Sequence, residues 1–140
     1  MLKSLLPISL VAALITSCSS GTTPQPPAPT PTPTPVVNLS GNYVQSDRDT
    51  GGNTAQARIV LIDNNGTLTG TVTRTLYNNV NSPLGPLTLF RGSRSSDGKR
   101  AQWSFDLGGS TNTWTYYFDA SGNATGSSNF GNTGTLAKIQ

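Results

Sequence analysis

The chain has no histidine, no glutamate and a single cysteine among its 140 residues, and charged residues make up only 11% of it. These absences close off whole classes of chemistry. One cysteine cannot build a disulfide framework. Without histidine there is no His- or Cys-ligated zinc set, no Ser-His-Asp triad and no Cys–His nucleophile pair. Six aspartates are the only acids, so a glycosidase-like carboxylate pair would have to be drawn from them. Lys99 follows Ser96 at Ser-x-x-Lys spacing, but Asp97-Gly98 between them reads as a hairpin turn; Lys138 has no such serine, and no glycine-rich phosphate loop leads into a helix. Good helix formers are scarce, which argues against a helical bundle. In their place stand 20 Thr, 16 Ser, 15 Gly and 12 Asn, with apolar residues at 34% against roughly 45–50% in an average globular chain. The inventory points away from an enzyme and implies neither a catalytic residue, a cofactor nor a metal site.

What is present begins with an export signal. Met1-Leu2-Lys3-Ser4 precedes an apolar run from Leu5 to Ile15 and a small-residue stretch, Thr16-Ser17-Cys18-Ser19-Ser20. That order is the layout of a secretory signal peptide. The run falls short of the roughly 20 residues needed to cross a bilayer, and Pro7 interrupts it. Ile15-Thr16-Ser17-Cys18 resembles the lipobox of bacterial lipoproteins: an aliphatic residue, two small ones, then cysteine. The resemblance implies cleavage of residues 1–17 and a diacylglycerol thioether on Cys18. Two or three acyl chains, at about 0.8 kcal/mol per buried CH₂, anchor stably. It also implies an exported, membrane-anchored chain. Ser19, where inner-membrane lipoproteins of enterobacteria carry Asp, favours the outer membrane if the source has one.

Residues 18–35 then read as a lipidated cysteine followed by a disordered Pro/Thr-rich linker. Seven of the fourteen residues from Thr22 to Pro35 are proline, ending in a Pro-Thr alternation. Such a tract favours polyproline II and spans about 40 Å at roughly 3.1 Å per residue.

Residues 36–140 form the domain, and their apolar residues alternate. Ala101, Trp103, Phe105 and Leu107 share one face of a segment, as do Trp114, Tyr116 and Phe118 of the next; Leu68, Val72 and Leu76 line one side of Thr67–Tyr77. Period two means half-buried antiparallel strands. Asn65-Gly66, Asp97-Gly98, Gly108-Gly109 and Ser121-Gly122-Asn123 supply hairpin turns between them. Further strands are expected over Leu39–Gln45, Ala57–Asp63, Leu87–Arg94 and Thr133–Ile139. The prediction is an all-β antiparallel meander of seven or eight strands, either an up-and-down barrel or a two-sheet sandwich. Gly41-Asn42-Tyr43 and Leu68-Thr69-Gly70-Thr71 resemble the Gly-x-Trp and Leu-Thr-Gly-Thr strands of small avidin- and lipocalin-like barrels. The sequence departs from that pattern: Tyr43 replaces the tryptophan and Val72 a tyrosine. Gln45 and Asp49 stand where avidins place the Asn and Ser that hold biotin's ureido group. The resemblance therefore implies the barrel and argues against biotin.

Two candidate sites follow. Tyr43, Trp103, Phe105, Trp114, Tyr116 and Phe118 either form the core or line a pocket for a small hydrophobic ligand. Arg91, Arg94, Lys99 and Arg100 crowd one hairpin and either form a solvated turn or meet an anionic partner. Eight basic residues against six acidic ones in the domain leave too small an excess for a nucleic-acid footprint. Asp47 to Asn53 looks like the start of a calcium loop, but Arg58 stands where its closing bidentate Glu belongs, so a plain turn is expected. The functional expectation is a membrane-anchored, non-catalytic binding or structural domain at the cell envelope. The alternatives are a carrier or sensor of a small ligand inside the barrel, or a protein that docks another protein or a glycan.

Overall fold

The computed structural model describes residues 37–139, and every regular element among them is a β-strand. The strands are β1 (Gly41–Arg48), β2 (Thr54–Asn64), β3 (Thr67–Tyr77), β4 (Val80–Arg94), β5 (Arg100–Leu107), β6 (Ser110–Phe118), β7 (Ala124–Ser128) and β8 (Thr133–Ile139). Each pairs antiparallel with its neighbour in sequence, and β1 pairs with β8 to close the ring. Of the two architectures expected from the meander, the barrel is the one formed. The leader, Cys18 and the Pro/Thr tract lie outside the described residues.

Alternation dictates the inside. Along β2, Ala57, Ile59, Leu61 and Asp63 are buried, while Gln56, Arg58, Val60, Ile62 and Asn64 face out. Fifteen buried apolar side chains fill the bore, each large one contributing about 1.5–3 kcal/mol. Three of them stack: the rings of Trp103 and Tyr116 lie 5.0 Å apart, and those of Tyr116 and Trp114 5.3 Å apart. Gly126 makes the stack possible, since a Cβ there would stand 2.6 Å from the Tyr116 ring. Threonine dominates the outer face of β3, while Val60 and Ile62 stand exposed on that of β2.

Turns set the register. Asn65 and Gly66 both take positive φ in the two-residue link between β2 and β3, as the Asn-Gly signal predicts. Asn78 and Asn79 do the same between β3 and β4. That second turn corrects the expectation that strand four starts at Leu87. It begins at Val80, because Pro83 and Pro86 fall where the β3–β4 register skips and therefore break no ladder hydrogen bond. A further correction concerns Leu76. A bulge between Gln56 and Ala57 inserts an extra β3 residue, which turns Leu76 out of the Leu68–Val72 face and brings Tyr77 to the mouth.

Candidate functional site

The barrel's two ends differ. At the end where β1 begins, Leu39 is buried in the bore and accepts a hydrogen bond from the Tyr43 hydroxyl at 2.8 Å. Beside it Asp63 accepts from the backbone N–H of Leu39 at 2.9 Å, from that of Gly66 at 2.8 Å and from the Arg94 guanidinium. Burial opposes the charge on Asp63, but these donors outweigh it and hold the carboxyl below the ordinary range. One carboxylate thus ties the incoming chain, the β2–β3 turn and β4 into a plug.

The opposite end is open. A cavity of about 310 Å³ sits between β1, β2, β3, β4, β5 and β6 and the loops that rim them. Its apolar wall is Val72, Leu87, Phe105, Leu107 and Trp114. Its polar side is Gln45, Asp47 and Asn112, each placed inward by the same period-two alternation that points Tyr43 and Trp114 inward. Gln45 donates through Nε2 to Asp47 at 2.6 Å, which leaves its Oε1 buried and without a partner. Asn112 Oδ1 and the Trp114 indole N–H are buried and unpartnered as well. Burial pushes the Asp47 carboxyl up, against the lowering influence of the Gln45 amide.

At the rim, Asp49 accepts from the backbone N–H of Asn53 at 2.9 Å and from its side-chain amide at 2.8 Å. That side-chain amide, with the surrounding backbone N–H groups, holds the Asp49 carboxyl below its usual range. Asp47 and Asp49 therefore reach one cavity, the convergence that acid–base chemistry would require of this chain. Asp49, however, is engaged in closing its own turn. Arg74, also at the rim, donates through Nε and a terminal nitrogen to Ser82, both at 3.1 Å, and lies 5.2 Å from the centre of the Tyr77 ring. A larger depression of about 650 Å³ lies on the outer face against β7 and β8, but no buried polar group lines it.

The six aromatic candidates separate in space. Phe105 and Trp114 line the mouth cavity. Trp103 and Tyr116 are core, fully covered, and burial raises the Tyr116 hydroxyl well above its ordinary value. Tyr43 and Phe118 meet edge to face at 6.2 Å and, with Lys99, line a second depression of about 300 Å³ at the plugged end. Of the four basic candidates, Arg91, Lys99 and Arg100 are exposed. Arg94 is corrected: its side chain is 5% exposed and pairs with Asp63, because a buried carboxylate in the plug needs a cation. Sequence reasoning touched Gln45 only through the barrel resemblance and Asp47 only as the start of a calcium-like loop, and it missed Asn112. Gln45, Asp47 and Asn112 were legible as inward positions of alternating strands, since Gln45 and Asn112 lie two residues from an inward aromatic and Asp47 lies four from Tyr43. Among the described residues no group of three or more ligand-type side chains converges on a metal-sized site.

Fold and site together define an eight-stranded up-and-down barrel, plugged at one end, with a small mixed-polarity cavity in its mouth. Comparison with protein-family models, with curated proteins and with solved structures finds no match.

Proposed function

We propose that this chain is an exported bacterial lipoprotein whose barrel binds a small molecule in its mouth without catalysis. Cys18 carries the lipid, the Pro-Thr tract is the spacer, and the outer membrane is the destination where the source has one. The observation that carries the binding role is the cavity of about 310 Å³ with buried, unpartnered polar atoms on its wall. Leaving such groups unpaired costs about 1–3 kcal/mol each, a cost that a bound ligand removes. The size lies at the small end of the usual 300–1,000 Å³ range for ligand sites. Docking of a protein through strand addition is disfavoured, because ring closure leaves no free edge.

The test is intact mass under native conditions, on protein extracted gently from source membranes. Residues 18–140 plus two or three acyl chains, lost in Cys18→Ala, are expected. An additional non-covalent mass, lost in Ala55→Trp at the cavity wall, is expected with it. Unlipidated full-length chain in the soluble fraction would overturn the anchoring, and a non-covalent mass indifferent to Ala55→Trp would overturn the mouth as the site.

A further inference from the structure

Resting on that reading of the mouth, we infer that the ligand is a small organic cation with a planar apolar body and an N–H-rich head: an amidinium, guanidinium or primary ammonium. Among the buried side-chain atoms of the cavity residues, two acceptors and one donor have no partner. Gln45 and Asn112 are 2% and 8% exposed, and each holds a buried oxygen with no partner. The orientation of the Gln45 amide is decided by its neighbour. Nε2 faces the Asp47 carboxylate at 2.6 Å, so the acceptor Oε1 is the atom left free. On the donor side the Trp114 indole N–H is unpartnered at the cavity, whereas the unpartnered Trp103 indole N–H and Tyr116 hydroxyl lie in the closed core away from it.

Charge points the same way. Asp47 and Asp49 line the cavity against one cation, Arg74, whose guanidinium is turned onto Ser82 and Tyr77. The site is therefore one negative charge in excess. A neutral N–H head would satisfy the two oxygens but leave that excess, and an anion would meet it with like charge. Trp114 and Phe105 offer flat faces beside these acceptors, where a cation gains from the ring quadrupole. The head then sits against Gln45, Asp47 and Asn112, and the body against Trp114 and Phe105.

The experiment uses three probes of one shape and different charge: benzamidine, benzamide and benzoate. Binding is read by calorimetry and by the side-chain amide resonances of Gln45 and Asn112. Benzamidine is expected to bind, to shift both resonances, and to exceed benzamide by roughly tenfold or more, in line with the added strength of charge-assisted hydrogen bonds. Benzoate is expected not to bind. Asp47→Asn should reduce the preference for benzamidine over benzamide to within a few-fold, and Ala55→Trp should abolish binding of both. Benzamide or benzoate binding as well as benzamidine, with the Gln45 and Asn112 shifts, would overturn the cationic class while leaving the mouth as the site. Benzamidine binding unchanged in both variants would place it elsewhere and overturn the proposal. No binding of any probe at millimolar concentration would overturn the class and the mouth site together.

Discussion

Removing Arg94 isolates one buried charge and measures what holds the plugged end. Both side chains of the Arg94–Asp63 pair are nearly covered, at 5% and 1% exposure. Asp63 also holds the N–H groups of Leu39 and Gly66. In Arg94→Leu the carboxylate keeps those two neutral donors and loses its only counter-charge. Breaking a buried pair from one side costs about 3–5 kcal/mol, a large share of the 5–15 kcal/mol that holds a domain folded. Near the melting temperature this corresponds to a drop on the order of 15–25 °C for a domain of this size. Urea denaturation and calorimetry read it directly.

The pH dependence fixes the mechanism. In the wild type the Asp63 carboxyl titrates below its ordinary 3.8, so its stabilisation is present above that value and is lost as pH falls through the lowered one. Without Arg94 the lowering is weakened while the burial that raises the pKa remains. The difference between variant and wild type should then be largest near neutrality and shrink in acid as Asp63 is protonated. Asp63→Asn/Arg94→Leu, with no charge left to strand, should lose less than Arg94→Leu alone at pH 7. A single variant costing under about 1 kcal/mol, or a cost flat from pH 3 to 7, would refute the plug as a charge-dependent element.

Two more tests bear on packing and on the mouth. Gly126→Ala sets a methyl group against the Thr115 carbonyl and 2.6 Å from the Tyr116 ring, and backbone cannot yield as a flexible side chain does. It should cost about 1–3 kcal/mol in denaturant melts and disturb the near-ultraviolet signal of the Trp103–Tyr116–Trp114 stack. Asp47→Asn should stabilise the empty barrel by a few degrees at pH 7. Burial raises this carboxyl, so the wild type loses stability as pH rises through the raised value, and the amide does not. An Asp47→Asn protein that melts lower at pH 7 and equal to wild type at pH 3 would reverse that assignment.

Local pattern in the chain was enough for the all-β class and most of the strand positions. Thr67–Tyr77 and Thr133–Ile139 were legible to the residue, because period-two alternation and positive-φ Asn and Gly are local physics. Trp103 and Trp114 were legible as inward for the same reason. The start of β4 was hidden, since prolines read as breakers until a bulged partner strand shows that their missing N–H groups owe nothing to the ladder.

Closure of the ring was decided only in three dimensions. The β1–β8 pairing joins residues nearly a hundred positions apart, and no local pattern encodes it. The same holds for the two ends. Arg94 looked like one of four surface cations, and only the fold brings it to Asp63, 31 residues away, where both side chains are nearly covered. Gln45 was marked only by the barrel resemblance, and Asn112 looked like an ordinary polar residue in a chain rich in them. A free acceptor oxygen becomes a binding feature only when the barrel buries it beside a cavity that its neighbours leave unfilled. Alternation dictates which way a side chain points, whereas tertiary packing decides what it meets there.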